Sequence, residues 1–253
     1  MRGLKGKRVI VTGGGSGIGR EVCKRFAEEG SEVGIFDLNG EGAAETVAQI
    51  EAAGGKASAH VVNIADRAQV DAAVAEFAKG GAINALVNNA GWDKIVSFLD
   101  TDADLWKKVI DINLYGPLNM HHAVLPLMVE NGGGRVVNIS SDAGRVGSSG
   151  EAVYSACKGG IISFTKTVAR ELARKGIQLN AVAPGPTDTP LFAEIAGGEA
   201  GAKVAEGLKR AIPMKRLAVP EDYPGIICFL ASDDASFITG QVISVSGGLS
   251  MHG

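Results

Sequence analysis

Short runs of β-branched and other apolar residues recur along the chain, separated by segments long enough for a helix. They are RVIVT from Arg8, EVGIFD from Glu32, ASAHVV from Ala57, ALVNN from Ala85, RVVNIS from Arg135, QLNAVA from Gln178 and VISVS from Val242. Each predicts a strand. Between them apolar residues fall at helical spacing, as at Ala43, Val47 and Ile50 or at Val70, Val74 and Phe77. Strand alternating with helix predicts parallel pairing through right-handed crossovers, and strands apolar on both faces need helices above and below. The expected fold class is therefore α/β, a doubly wound parallel sheet of seven strands. No compositional break or short-period repeat divides the chain, so residues 1–253 are expected to form a single domain. The stretch from Pro186 to Arg216 departs from the pattern, with a loose helical periodicity and several glycines, and reads as a substrate lid.

Composition narrows the function classes. With 45% hydrophobic and 21% charged residues, the chain has ample material for a buried core. A formal net charge of -3 argues against nucleic acid as the main partner. No apolar run approaches the roughly 18 residues of a membrane span. The basic start MRGLKGKR leads into only VIV before glycines, so no membrane partner or signal peptide is expected, and a cytoplasmic location is. Cys23, Cys157 and Cys228 are scattered without zinc or disulfide spacing. His121 and His122 lack a third ligand at metal spacing and read as structural or interface residues. No metal is expected.

Glycine is the outlier, because 36 of 253 residues is about twice the average usage of about 7%. The first strand runs into TGGGSGIGR, which places Gly13, Gly17 and Gly19 ahead of an apolar-periodic helix. There the glycines allow a tight turn and let a pyrophosphate lie against backbone N–H groups at the helix N-terminus. The combination is specific because Asp37 ends the second strand 18 residues beyond Gly19. Asp37 can accept hydrogen bonds from the adenosine ribose hydroxyls and would repel a 2′-phosphate. Ser16, where a basic residue would meet that phosphate, offers no compensation, so NAD is expected over NADP.

In AVYSACKGG, Tyr154 and Lys158 stand at i and i+4 and share one helical face. A phenol with a pKa near 10 is a poor base at neutral pH, and a neighbouring ammonium favours the phenolate. Lowering that pKa by about 2–3 units needs about 3–4 kcal/mol, which a close cation and a bound nicotinamide would jointly provide. The expected product is a general acid/base. Ser141, in NISSDAG at the end of the fifth strand, can hold the reacting oxygen, and LVNNAG from Leu86 to Gly91 ends the fourth strand beside the expected nicotinamide ribose. Cys157 lies near the face of Tyr154 without a base to activate it and reads as packing. Trp92 and Asp93 follow the NNAG turn, where they either reach substrate or pack beneath the turn.

Taken together, VTGGGSGIG, NNAG, NISS, YSACK, PGPTDT and ITGQVISVSGG resemble the short-chain dehydrogenase/reductase family over nearly the whole chain. The resemblance implies a Rossmann-type fold in which Ser141 positions the substrate oxygen, Tyr154 transfers the proton and Lys158 binds the nicotinamide ribose. It implies that Asn113 holds a water relaying protons towards Lys158. Cofactor contacts are implied at Gly13, Ser16, Gly17, Ile18, Gly19, Asp37, Leu38, Asn63, Ile64, Asn89, Ala90 and Gly91. They extend to Tyr154, Lys158, Pro184, Gly185, Thr187 and Thr189, the last holding the carboxamide. Two positions depart from the family pattern. Thr187 replaces a branched aliphatic residue, leaving a main-chain contact possible, and Asn63 replaces an aspartate, leaving an amide oxygen for the adenine amino group.

The expected activity is NAD-dependent interconversion of a secondary alcohol and a ketone, with a homotetramer implied by the resemblance. NNAGWD, MHHAVLP, RVGSSGEAVYSACKGG and PGPTDT resemble 2-hydroxycyclohexanecarboxyl-CoA dehydrogenases, which points to a cyclic β-hydroxyacyl-CoA thioester as the small-molecule substrate. Lys203, Lys209, Arg210, Lys215 and Arg216 of the lid, with Arg145, are placed to meet its phosphates or form a solvated face. The alternatives are a 3-oxoacyl carrier-protein reductase, a dehydrogenase of small secondary alcohols and an NAD-binding scaffold without turnover.

Overall fold

Every apolar run named above forms a strand. The structure is a computed structural model that describes residues 1–195 and 198–251, and for 191, 194, 195 and 198–204 the backbone alone. Its strands are β1 (Arg8–Thr12), β2 (Glu32–Asp37), β3 (Lys56–Val61), β4 (Ala85–Asn88), β5 (Gly134–Ile139), β6 (Ile177–Pro184) and β7 (Val242–Val245). Among the described residues they make one parallel sheet in the order β3-β2-β1-β4-β5-β6-β7.

The helices are α1 (Gly17–Glu28), α2 (Gly40–Ala52), α3 (Arg67–Ala78), α4 (Ala103–Ile110), α5 (Gly116–Glu130), α6 (Ala143–Val146) and α7 (Ala152–Leu172). After β6 come α8 (Pro190–Ile195), α9 (Gly198–Ala211) and α10 (Pro224–Ala231). A π turn over Asp111–Tyr115 joins α4 to α5. Asn39 and Asp66 start α2 and α3 by accepting hydrogen bonds from N–H groups of the first turn. At α1 the N-cap residue Ser16 makes no such side-chain bond.

Alternation along the strands builds a core on each face of the sheet. Val9, Val11, Val33, Ile35 and Val87 point to one face, where Val22, Cys23 and Phe26 of α1 and Ile227 and Leu230 of α10 cover them. Ile10, Phe36, Leu86 and Val136 point to the other, against Val70, Val74 and Phe77 of α3 and Met120, Val124 and Met128 of α5. The edge strand β3 is half-exposed, so the two-sided apolarity expected of every strand fails there. The chain winds outward from β1 to β3 and returns to β4, so β1 lies between β2 and β4 and their carboxyl ends open a crevice at the reversal point.

Candidate active site

The carboxyl ends of β1, β4, β5 and β6 open into one cleft of about 1480 Å³. Of the catalytic and cofactor-binding residues expected from sequence, all but Gly19 and Asn113 line it. Gly19 lies beneath the glycine turn, where a Cβ would stand 2.0 Å from the carbonyl oxygen of Gly13. Its role is close packing of α1 against β1, not a lining contact. Asn89 holds the same turn, since its Nδ2 donates to the carbonyls of Thr12 and Gly13 at 3.1 and 3.2 Å. Thr12, which sequence reasoning passed over, accepts the N–H groups of Asn89 and Ala90 on its hydroxyl, both at 3.0 Å.

These features fit a dinucleotide. Gly17, with φ +51°, meets nothing nearer than 3.7 Å at its built Cβ, so the mouth of α1 is open, and its first N–H groups have no side-chain cap. At the end of β2, Asp37 accepts from the N–H groups of Gly15 and Asn39, both at 2.8 Å. Those bonds orient the carboxylate and leave lone pairs for ribose hydroxyls. Arg20, another residue missed in the sequence, is engaged by Glu45 at 2.8 Å, the Thr46 hydroxyl at 3.1 Å and the Gly15 carbonyl at 2.5 Å. The amide oxygen of Asn63 accepts the Ala65 N–H at 3.0 Å, so one of the lone pairs expected for adenine is already used. Thr187 turns its hydroxyl away from the cleft to the Gly185 carbonyl at 2.8 Å and the Tyr223 hydroxyl at 2.6 Å, so its side chain packs. Thr189 caps the turn into α8 by accepting the Phe192 N–H at 3.1 Å.

Ser141, Tyr154 and Lys158 meet at the other end of the cleft. Lys158 is buried, and its Nζ donates to the Ile139 carbonyl at 2.9 Å, 5.5 Å from the centroid of the Tyr154 ring. Burial lowers its pKa to about 8, offset in part by Cys157 and Asp93. Burial also pushes the Tyr154 phenol above its ordinary value, with the negative charges of Glu151 and Asp93 adding to the effect and Ser141 opposing it. Desolvation of the phenolate outweighs the nearby polar groups, so the protein's own residues do not by themselves supply the depression expected from Lys158 together with a bound nicotinamide. Ser141 Oγ accepts the Ala143 N–H at 3.1 Å, which fixes its rotamer.

Asn113 is buried in the π turn, and its side chain is a clamp on main chain. Its Nδ2 donates to the carbonyls of Trp92 and Val109 at 2.6 and 2.9 Å, and its Oδ1 accepts the Trp92 N–H at 3.3 Å. Asp93 turns out to be buried in the cleft wall beside Glu151, and Lys108 lies 3.6 Å above the Trp92 ring. Glu151 was missed, although its position one helical turn before Tyr154 was a usable signal.

Of the cations expected either to meet substrate phosphates or to form a solvated face, those whose side chains are described are engaged elsewhere. Arg145 donates to the Val242 carbonyl and the Ser244 hydroxyl, both at 3.1 Å. Lys209 pairs with Glu206 and Arg216 with Asp222, while Arg210 and Lys215 donate to main-chain carbonyls. The Lys203 side chain lies outside the described residues. Lys107 and Lys108 of α4 line the cleft instead, with Phe192 and Leu208 reaching it from α8 and α9. His121 is a core residue, its Nδ1 bonded to the Pro117 carbonyl at 2.6 Å and its pKa lowered to about 4 by burial. Cys157 is buried, and desolvation raises its thiol pKa, consistent with packing. No described helix is long and apolar enough to cross a membrane, and no cluster of three metal-ligating side chains occurs among the described residues.

A doubly wound sheet with a glycine turn at β1 and a Ser-Tyr-Lys constellation beyond β5 defines a nicotinamide-dinucleotide oxidoreductase. The chain belongs to the short-chain dehydrogenase/reductase family, and a family model described as enoyl-(acyl carrier protein) reductase matches residues 13–250. It is 39% identical to the 3-oxoacyl-[acyl-carrier-protein] reductase FabG of Thermotoga maritima, over 97% of this chain and 98% of that protein. It is 37% identical to the (2S)-[(R)-hydroxy(phenyl)methyl]succinyl-CoA dehydrogenase subunit BbsD of Thauera aromatica, over 98% of each chain. A crystal structure assigned as an NAD(P)-dependent gluconate 5-dehydrogenase from Beutenbergia cavernae, with NADP bound at low occupancy, superposes with a TM-score of 0.92. That chain is 33% identical, with 97% of each chain covered.

Proposed function

We propose that the protein is an NAD-dependent dehydrogenase that interconverts a secondary alcohol and a ketone, with a cyclic β-hydroxyacyl-CoA thioester as substrate. The observation that carries this reading is the convergence of Ser141, Tyr154 and buried Lys158 in one cleft with the glycine turn. A nicotinamide held along that turn would supply the hydride acceptor or donor. In this reading the Ser141 hydroxyl binds the reacting oxygen and the Tyr154 hydroxyl takes or returns its proton. Lys158, anchored by Ile139, holds the ribose and stabilises the phenolate while it exists. Asn113 acts as a positioning residue through the Trp92 main chain.

Asp37 supports NAD over NADP, because it would repel a 2′-phosphate and Arg20 is engaged by Glu45. The thioester reading rests on the RVGSSGEAVYSACKGG and PGPTDT motifs and on the likeness to the Thauera protein. Its phosphates would find Lys108 at the cleft, since Lys107 is paired with Asp111 and the described lid cations are engaged elsewhere. The likeness to FabG favours a second reading, reduction of a 3-oxoacyl group on a carrier protein. The proposal includes a homotetramer in the cytoplasm. Tyr115, beside the Asn113 turn, and Phe237, ahead of β7, expose large apolar surfaces that suit interfaces at those two places.

The test is a panel of secondary alcohols, hydroxyacyl-CoA thioesters and 3-oxoacyl carrier protein, followed by NADH and NADPH absorbance. Highest kcat/KM for a cyclic β-hydroxyacyl-CoA is expected, with salt reducing its advantage over the free alcohol. Equal efficiency with the free alcohol or acid at low salt would replace the thioester with a small secondary alcohol. Preference for the carrier-protein substrate with NADPH would establish the second reading, and no turnover at all would leave a dinucleotide-binding scaffold.

A further inference from the structure

Two carboxyl groups stand side by side in the substrate half of the cleft. Asp93 follows the NNAG turn and Glu151 immediately precedes α7, one helical turn before Tyr154, and both line the cleft. Asp93 is only 5% exposed, and its Oδ2 is buried without a hydrogen-bond partner among the described residues. A bare carboxylate in that position is costly, whereas a proton shared with an adjacent carboxyl satisfies the oxygen and removes one of two like charges. The Asp93 carboxyl lies within hydrogen-bonding reach of the Glu151 carboxyl, and burial pushes its pKa up to about 7, with the Lys94 N–H opposing the rise and Glu151 adding to it. The other charged or titratable groups facing it are Lys158, Tyr154 and Cys157 of α7. None of them supplies a hydrogen bond to Oδ2.

We propose that the Asp93–Glu151 pair, sharing one proton, selects neutral substrates and rejects those carrying a carboxylate beside the reacting carbon. The inference rests on the dehydrogenase reading of the same site. A pair with one proton keeps one negative charge within a partly desolvated wall, where repulsion of a substrate carboxylate is strong. Its proton is available to the carbonyl oxygen of an ester or thioester, an acceptor without charge. Asn113 and Glu151 fix the geometry independently, the first by clamping Trp92 next to Asp93, the second by leading into α7 with its carbonyl accepting the Ser155 N–H at 2.7 Å. The family-wide Ser141, Tyr154 and Lys158 do the chemistry, and the two carboxyls decide which β-hydroxy compound reaches them.

The test compares methyl 2-hydroxycyclohexanecarboxylate with the free 2-hydroxycyclohexanecarboxylate at pH 7, oxidised with NAD by the unmodified protein, by Asp93→Asn and Glu151→Gln singly, and by the double variant. The unmodified protein should favour the ester by at least about tenfold in kcat/KM. In the double variant, which alone removes the pair's negative charge, that ratio should fall at least about fivefold, chiefly because the acid improves, whereas each single variant keeps one ionised carboxylate and should stay within about twofold of the unmodified ratio. A merely structural role would lower both substrates together. Glu151 is half-buried, so Asp93→Ser combined with Glu151→Gln serves as the arm if Asp93→Asn combined with Glu151→Gln does not fold. A ratio near one in the unmodified protein, or a ratio unchanged within about twofold in the folded double variant, overturns the proposal. If neither compound is oxidised, the dehydrogenase reading fails. Calorimetric binding to the NADH-saturated protein then decides the inference, with weaker binding of the acid supporting it and equal or absent binding overturning it.

Discussion

Lys158 Nζ donates to the main-chain carbonyl of Ile139 at 2.9 Å while standing 5.5 Å from the centroid of the Tyr154 ring. The ammonium is thus anchored to the end of β5 and reaches the phenol across a gap, not by direct contact. In this arrangement burial dominates both groups, raising the phenol and lowering the ammonium to about 8. The phenolate is therefore favoured only when a further positive charge, such as that of an oxidised nicotinamide, enters the cleft.

Tyr154→Phe is expected to reduce kcat at least about 10²-fold with NADH binding retained, as read by NADH fluorescence. Lys158→Ala should weaken cofactor binding and turnover together. Activity above about a tenth of normal in Tyr154→Phe would rule out proton transfer by this residue.

NAD should be preferred to NADP by at least about tenfold in kcat/KM, or about 1.4 kcal/mol. Asp37→Ala should narrow the preference, because Gly15 and Asn39 lose the acceptor that defines the end of β2 and the 2′-phosphate loses its repulsion. Equal kcat/KM for the two cofactors in the unmodified protein would contradict the reading of Asp37.

Asp93→Asn should stabilise the protein above pH 7 and leave it unchanged near pH 3. With a pKa raised from 3.8 to about 7, the native state holds a proton that the unfolded chain has released between those values. Stability from this group therefore falls as pH rises through that window. The shift sets an upper bound of about 4 kcal/mol on the gain. Thermal melts of both proteins at pH 3 and pH 8 check the sign, and a stabilisation that is the same at both values would refute the buried carboxyl pair.

Asn113→Ala should cost about 2–3 kcal/mol in urea unfolding, since it strands the buried carbonyls of Trp92 and Val109. The loop after β4 should loosen with it. Trp92 emission, isolated in a Trp106→Phe background, should then shift on the substitution, and an unchanged spectrum with unchanged stability would contradict the clamp.

Gly19→Ala should destabilise the fold by at least about 2 kcal/mol, because the added Cβ would meet a backbone oxygen that cannot turn aside. Gly17→Ala has room at Cβ and pays only for its positive φ. A larger loss at Gly17 than at Gly19 on denaturant titration would contradict this ordering.

Much of the molecule was legible before any coordinates. Short runs of β-branched and other apolar residues located all seven strands, since a strand buried on both faces tolerates little else and only the edge strand β3 is half-exposed. The glycine turn, Asp37 and the Tyr154–Lys158 spacing were readable because a tight turn, a strand end and a helical face are local facts. The orientation of Arg145 was not readable for the opposite reason. Whether Arg145 points at substrate or at Ser244 depends on β7, which lies about a hundred residues further along the chain and adjoins it only after folding.

The sequence by itself determined the alternation of strands and helices, the dinucleotide turn and the identity of the proton-transfer candidates, because each rests on residue type and short-range spacing. Tertiary structure alone decided the strand order, the anchoring of Lys158 to Ile139, the clamp of Asn113 on Trp92 and the meeting of Asp93 with Glu151. It also decided the direction of the Tyr154 shift. Desolvation depends on everything packed around a group, and no spacing along a chain encodes how much water remains beside a phenol once four strand ends close over it.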